Sequence, residues 1–448
     1  MNTAMPFLRK IFIKTYGCQM NAHDSERLAA MLRTFGHEIV DCEDDADVYI
    51  LNTCSVRERA EIKAVGKSRY LSRKKLRKNN ALLGIVGCMA ENLAENLFKL
   101  NPGIDFIIGP RRISELPAIL AGENVGRVAL LGEAHSEDAG ESARDFSSAK
   151  ICASVSIMQG CNMRCSYCIV PKTRGPESYR PMDSIIAECE TLVQNGTKEI
   201  TLLGQIVNNY GQGVLEYGSG KSPFVQLLER IDDIAGLERI RYMSPHPKGF
   251  REDLIEAHSS LSKLCPSVHL PIQSGSDRVL RAMRRPYTRA RILSIVESLR
   301  AAVPNIALTT DVIVGYPGER EEDFSMTVDL LNAVKFNMAF VFKYSPRAGT
   351  LSASLPDDVG ADEKDRRNKI LLDMVQKCSI GHNETMIGHG VEVLVEGHAK
   401  RGENKLCGRT RGGDKVIFDG QDRLIGQLVN VKIMDSAITI LRGKLIEI

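Results

Sequence analysis

The chain has 448 residues, of which 43% are hydrophobic and 26% charged, with a net charge of +3. That composition gives a soluble protein with sizeable cores and about three domains. The small net charge excludes nucleic-acid capture by an overall field, so any such binding must come from local basic patches. No apolar run reaches membrane-spanning length, and MNTAMPFLRKIFIKTYG at the N-terminus holds no signal-peptide core. A cytoplasmic protein without a membrane partner is expected. Its twelve cysteines then point to metal or cluster ligation before disulfides. There is no internal repeat and no low-complexity tract.

Three apolar segments near the N-terminus each run into a cysteine: IFIKTYG from Ile11 into Cys18, VYILNT from Val48 into Cys54, and LLGIVG from Leu82 into Cys88. Each reads as a buried strand, and each is followed by a helical pattern, at 23–35, 56–78 and 89–100. Strands alternating with helices argue for a parallel sheet, whose ligands sit beyond the carboxyl ends of the strands. The three cysteines can therefore converge on one edge. Two readings stand side by side: three thiolates holding a cluster, or three small residues filling strand ends. The second helix carries Lys67, Arg69, Arg73, Lys74, Lys75, Arg77 and Lys78, which form either an RNA-facing surface or a solvated helix face.

Residues 121–150 have weak periodicity and read as a linker. From Ala153 onward strands and helices alternate again. The strands are expected at 154–159, 199–203, 240–244, 268–272, 307–314 and 339–344, with helices at 184–194, 224–234, 289–302 and 321–334. The first strand leads into MQGCNMRCSYCIVPKTRG, where Cys161, Cys165 and Cys168 form a Cys-x3-Cys-x2-Cys pattern. A 4Fe-4S cube normally takes four cysteines, so three leave one iron open to another ligand. A structural zinc loop is the competing reading, but zinc favours paired Cys-x2-Cys knuckles and no second pair follows. KYSPRAGT follows the last strand, and its Arg347 either meets a substrate phosphate or forms a salt bridge. Cys42, Cys152, Cys189, Cys265, Cys378 and Cys407 share no spacing and read as structural.

A helix over 362–387 leads into short alternating runs at 391–396, 405–410, 415–418, 428–434 and 438–445, the pattern of a small β-barrel. Lys400, Arg401, Lys405, Arg409, Arg411 and Lys415 fall in one window, opposed by Glu403 and Asp414 alone. The window suits phosphate contacts, or it is a charged loop in water. There is no Trp and aromatics are 5%, so broad base-stacking platforms are not expected.

The Cys-x3-Cys-x2-Cys loop is the signature of radical S-adenosylmethionine (SAM) enzymes, and the chain resembles them. KTYGCQMNAHDSER, NTCSVRERAEIK and VGCMAENL resemble the N-terminal domain of the methylthiotransferases, most of all the branch acting on isopentenyladenosine in tRNA (the MiaB type). HLPIQSGSDRVLRAMRRPYTR and DVIVGYPGEREEDF resemble SAM-binding segments of that family, and VEVLVEGHAKRGENKLCGRTRGGDKVIFDG resembles the RNA-binding TRAM barrel. The resemblance implies an α/β multidomain fold: an N-terminal parallel α/β domain at 9–125, a radical-SAM partial (βα)6 barrel at 147–377 and a TRAM β-barrel at 380–446. It implies two 4Fe-4S clusters, one on Cys161, Cys165 and Cys168 that cleaves SAM, and an auxiliary one on Cys18, Cys54 and Cys88. SAM contacts are implied for Tyr167, Gly204, Gln205, Gln273, Ser274 and Gly315. In Leu203-Gly204-Gln205 the carboxylate found in many radical-SAM enzymes is missing, a change that methylthiotransferases share, while Ile206 stands where they usually have Asn.

The implied reaction is methylthiolation of carbon 2 of isopentenyl-modified adenosine 3′ of the anticodon. The implied partners are the tRNA anticodon stem-loop, which Lys400, Arg401, Lys405, Arg409 and Arg411 would contact, and an electron-donor protein; a monomer is expected. A methylthiotransferase acting on threonylcarbamoyl-adenosine or on a ribosomal-protein aspartate is the nearest alternative, and a non-catalytic iron–sulfur RNA sensor the alternative of another class. Anaerobic reconstitution followed by iron and sulfide assay should give about eight of each per chain; about four would leave one triad without a cluster.

Overall fold

The computed structural model describes residues 8–55, 58–78, 80–122, 126–133, 150–216, 220–402 and 404–446. They fall into two compact units. The first takes the described residues before 149 together with Gln159–Arg180 and Arg347–Thr350, and the second takes the remainder.

The first unit is built on a parallel sheet of six strands: β1 (Lys10–Tyr16), β2 (Glu38–Ile39), β3 (Val48–Thr53), β4 (Leu82–Gly87), β5 (Phe106–Ile108) and β6 (Val128–Leu130), in the order β2-β1-β3-β4-β5-β6. Every residue of β3 and β4 is buried. Tyr49, Leu51, Leu83 and Ile85 face a core with Ala64 and Leu71, whereas Val48, Ile50 and Val86 face a second core with Leu28 and Leu32. Burial on both faces is why these strands read as unbroken apolar runs. Each such Val, Leu or Ile stabilises the fold by about 1.5–3 kcal/mol.

Helices α1 (Gln19–Thr34), α2 (Glu58–Lys75) and α3 (Cys88–Leu93) follow β1, β3 and β4. The single helix expected at 89–100 is two, because Ala94 takes a left-handed φ of 48° before α4 (Asn96–Leu100). The linker expected at 121–150 needs correction as well. Strand β6 lies inside it, paired along β5; three residues at a sheet edge are too few to show a period. Residues 123–125 and 134–149 of that segment lie outside the described residues.

The second unit holds the central strands and the C-terminal barrel. Cys152–Ser156, Glu199–Leu203 and Arg239–Tyr242 form one parallel sheet, and Ser267–His269, Ala307–Val314 and Met338–Lys343 another. A parallel bridge from Ile240 to Leu264 joins them into a six-stranded partial barrel. Two helices beyond those expected, Glu252–Ser260 and Asp277–Ala282, complete its outer layer. The C-terminal strands Gly390–His398, Lys405–Thr410, Lys415–Asp419, Ile440–Leu445 and Leu428–Ala437 close into a barrel in that order. Val393, Val395, Leu406, Val416, Phe418, Val431 and Ile433 fill its interior. No described helix is long and apolar enough to cross a membrane.

Two arginines of one central strand fasten this barrel. Arg239 is fully buried and donates to the Arg409 carbonyl at 2.7 Å and to Glu392 Oε1 at 2.9 Å. Arg241 donates to the carbonyls of Arg411 at 2.9 Å and Thr410 at 2.8 Å. Helix Ala361–Thr385 adds a third tie, with Ser379 Oγ donating to the Asn337 carbonyl at 2.6 Å and Asn383 Nδ2 to the Ala437 carbonyl at 2.7 Å. Removing a buried cation strands its acceptors. Arg239→Ala should therefore cost roughly 3 kcal/mol, the low end for breaking a buried pair because Glu392 is half exposed. It should open the barrel strands to protease before the rest of the chain; limited proteolysis beside a thermal melt checks both.

Candidate cluster and cofactor sites

Strands β1, β3 and β4 all end on the same edge, and Cys18, Cys54 and Cys88 stand at those ends. Cys18 caps α1, where the helix dipole favours a thiolate. Buried Asn21 ties the turns together: its Oδ1 accepts from the Cys18 amide at 3.3 Å, and its Nδ2 donates to Asn52 Oδ1 at 3.2 Å. Asn52 Nδ2 in turn donates to the Asn21 carbonyl at 2.9 Å. This gives the Asn of the Tyr-Gly-Cys-Gln-Met-Asn string a physical reason. At Gly17 a Cβ would lie 2.4 Å from Asn21 Oδ1 and 2.8 Å from Cys54 Cβ.

The free thiols feel one another. A hydrogen bond from Cys54 lowers the Cys18 thiol to about 5, against opposing burial, with Asn21 and Arg174 assisting. Burial pushes Cys88 up, countered first by Arg174. The three cysteines thus meet, with Arg174 beside them. A polar network borders them: Asn92 donates to Ser55 Oγ at 3.0 Å, Ser55 bonds Glu61, and Arg347 Nη1 meets Glu61 Oε2 at 3.0 Å. Of the two readings of Arg347, the salt bridge is the one present.

The loop carrying Cys161, Cys165 and Cys168 belongs to this same unit. It is closed by the Cys161 amide donating to the Gly175 carbonyl at 3.0 Å, and by Asn162 and Glu177, whose side chains each accept from the other's amide at 3.2 and 3.1 Å. Cys161 is buried, while Cys165, Tyr167 and Cys168 are half-buried. The Cys168 amide donates to the Cys165 carbonyl at 3.1 Å, so the two ligand positions share one turn. Helix Val170–Arg174 follows, and Arg174 Nη2 donates to Asp24 Oδ2 at 2.6 Å. Among the described residues no three Cys, His, Asp or Glu side chains close around a single ion. A four-iron cube is larger than one ion and takes each thiolate on a different iron, so its ligands stand further apart.

In the second unit the SAM candidates follow the carboxyl ends of the central strands. Gly204 and Gln205 follow strand Glu199–Leu203, and Gln205 Oε1 is buried without a hydrogen-bond partner. Gln273 has a φ of 67°; its amide donates to the Asp311 carbonyl at 2.9 Å and its carbonyl accepts from Ile313 at 2.9 Å. Ser274 and Gly315 serve the backbone. Ser274 Oγ accepts from the Ser276 amide at 3.2 Å, and the Gly315 amide donates to buried Glu319 at 2.6 Å. His246, which sequence reading missed, lies on the same edge. Its Nδ1 accepts from the Lys248 amide at 3.1 Å, so the hydrogen sits on Nε2, which is buried and unpartnered. Burial first, then Arg285 and Lys248, hold its pKa down to about 2, and the ring is neutral. An orphaned acceptor on Gln205 and an orphaned donor on His246 fit a polar cofactor such as SAM.

Three family models match the chain: an uncharacterized protein family, UPF0004, over residues 10–109, the Radical SAM superfamily over 155–331 and the TRAM domain over 384–446. The tRNA-2-methylthio-N(6)-dimethylallyladenosine synthase of Opitutus terrae is 46% identical over 470 residues, spanning 98% of both chains. The protein of that name from Methylacidiphilum infernorum is 45% identical over 95% of this chain and 92% of its own. The chain belongs to the tRNA-2-methylthio-N(6)-dimethylallyladenosine synthase family. A solved radical S-adenosylmethionine methyltransferase from Kitasatospora setae shares its fold, with a TM-score of 0.57 at 15% identity over 78% of this chain and 77% of that one.

In this synthase-family chain the basic patch of the TRAM barrel is partly committed to structure. Arg411 donates to the carbonyls of Ser262 at 2.7 Å and Leu264 at 3.1 Å. Arg409 pairs with Glu396 at 2.8 Å and Lys405 with Asp419 at 2.9 Å. Lys400 and Arg401 are exposed on the turn between the first two strands of that barrel; Glu403 lies outside the described residues. On α2 and just beyond it, Lys67 and Lys74 pair with Glu43, Lys75 with Asp105, and Lys78 donates to the Asp44 and Ala46 carbonyls, while Arg69, Arg73 and Arg77 are exposed.

Gly160 is the sharpest constraint on the three-cysteine loop. Its φ is 75°, and a Cβ there would lie 1.8 Å from the Pro176 carbonyl oxygen. Gly160→Ala should displace the loop and lower bound iron by about four per chain, with the iron on Cys18, Cys54 and Cys88 retained; iron assay with Mössbauer spectroscopy distinguishes the two.

Proposed function

We propose that this chain methylthiolates carbon 2 of isopentenyl-modified adenosine 3′ of the anticodon in tRNA, using SAM both as methyl donor and as radical source. The observation that carries this reading is the convergence of Cys18, Cys54 and Cys88 on one sheet edge, in the same compact unit as the Cys161, Cys165 and Cys168 loop. Sulfur insertion needs a second cluster beside the one that cleaves SAM, and this placement provides for one.

Cys161, Cys165 and Cys168 hold one 4Fe-4S cluster, and Cys18, Cys54 and Cys88 the other. The first would supply the electron for SAM cleavage and the second would supply sulfur for transfer. Tyr167 flanks the first site. Gly204, Gln205, Gln273, Ser274 and Gly315 would hold SAM, to which the buried and unpartnered Gln205 Oε1 would offer an acceptor. A C–H bond on an adenine ring is not opened by acid–base chemistry, so the protein groups bind and orient. The thiolates would fix the irons, buried Asn21 and Asn52 fix the turns, and the apolar sheet keeps water from Cys54 and Cys88.

The domains run over 9–125, 147–377 and 380–446. Lys400, Arg401, Lys405, Arg409 and Arg411 lie on the tRNA-facing side of the last one. The target base must leave its stack to be reached. An electron-donor protein reduces the enzyme, which works as a cytoplasmic monomer.

Two variants test this on isopentenyl-modified tRNA, with nucleoside mass spectrometry and a 5′-deoxyadenosine assay. Cys161→Ala should abolish SAM cleavage, and Cys54→Ala should cleave SAM yet make no methylthio product. Cleavage by the first or product from the second would overturn the assignment of the triads.

A further inference from the structure

Arg174 is a buried cation among thiols. Its side chain is 5% exposed, and Asp24, which accepts from Nη2 at 2.6 Å, is 6% exposed. A buried ion pair is weak as a source of stability, because desolvation offsets the attraction. Its orientation is informative instead. Burial opposes the charge of Arg174, but Asp24 and then Cys88 outweigh it, with Cys18 adding to them. At Cys88 the influence of Arg174 exceeds that of Asp24. Asp24 belongs to α1, which Cys18 caps, and the helix Val170–Arg174 packs against α3, which opens with Cys88, so the guanidinium is tied to both cysteine-bearing helix ends. Thr173, the preceding residue, lies near Cys88, and its hydroxyl donates back to the carbonyls of Ile169 and Val170. The helix bearing both residues is buried at Thr173 and Arg174 and follows directly from the Cys161, Cys165 and Cys168 loop.

We propose that Arg174 is a fixed positive charge that raises the reduction potential of the cluster held by Cys18, Cys54 and Cys88, and that Asp24 orients this charge and partly offsets it. The inference rests on the reading that those three cysteines hold a cluster. Its physics is direct. Reduction adds one electron to the cluster, and on the side of Arg174, Asp24, Cys54 and Cys88, all buried, water is too scarce to screen the added charge, whereas Cys18 is exposed. A nearby guanidinium, which cannot lose its proton, then favours the reduced form. Asp24 has the opposite and weaker effect. Arg174 is a positioning residue: it acts on the ligand sulfurs through its charge and takes no part in bond making.

The test uses the full chain carrying Cys161→Ala, so that the auxiliary cluster alone gives a signal, reconstituted without oxygen. Iron and sulfide are assayed first. About four of each per chain upholds the reading of the triad; the absence of bound iron would overturn that reading, and this inference with it. Midpoint potentials then come from reductive titration followed by electron paramagnetic resonance. Arg174→Gln should disfavour the reduced form about tenfold or more at a given potential, a displacement of at least about 59 mV to lower potential. Asp24→Asn should displace it to higher potential, and Arg174→Lys should restore most of the parent value. Opposite signs for Arg174→Gln and Asp24→Asn are what an electrostatic role demands, whereas a merely structural role would move both the same way. Parent-like potentials in both, or displacements of one sign, overturn the proposal. Should Arg174→Gln not retain iron, Asp24→Asn decides: a rise upholds the charge, and no rise overturns it.

Discussion

All strands of a parallel sheet finish on the same edge, and the first unit depends on that constraint. Cys18, Cys54 and Cys88 are far apart in the chain, and no local geometry could gather them. The register of β1 on β3 and of β3 on β4 brings their ends together, with Tyr16 opposite Thr53 and Thr53 opposite Gly87. Burial on both faces makes that register firm, since a slip of one residue would turn each apolar side chain to the wrong core. The cysteine positions are thus held by hydrophobic packing several residues away. Asn21 and Asn52 need only lock the last turn.

Much of this was legible because packing leaves a period. Strands Glu199–Leu203 and Ala307–Val314 and helices Arg289–Ala302 and Glu321–Val334 lie where the apolar pattern puts them. Patterns too short to repeat were missed, as with β6, or merged, as at Ala94. The two cysteine triads were legible for different reasons: one from spacing, the other from strands that each run into a cysteine. The placement of the Cys161 loop within the first unit was not legible. It depends on contacts such as Arg174 with Asp24, between residues that carry no shared period. A lone Arg in PKTRG and a lone Asp in AHDSER give no sign that they meet.

Charge runs were read least well, and the reason is physical. A run of lysines and arginines shows where cations are in the chain but not where their partners lie. Glu43 and Asp105 come from loops outside α2, yet they pair with three of its lysines. Arg411 donates to the backbone carbonyls of Ser262 and Leu264, partners far from it in the chain. Lys400 and Arg401, on the turn between the first two barrel strands, are exposed.

The fastening of the C-terminal barrel to the central strands has a further consequence. A domain on a slack tether adds avidity but has no opinion about distance, since its linker samples many lengths. Arg239, Arg241 and the rigid helix Ala361–Thr385 leave no such slack. A nucleic acid gripped by this barrel is held at one set span from the central strands, and no loop entropy is lost in reaching it. A barrel fastened in this way is suited to gauge distance, a property of an RNA's shape that needs no reading of its sequence.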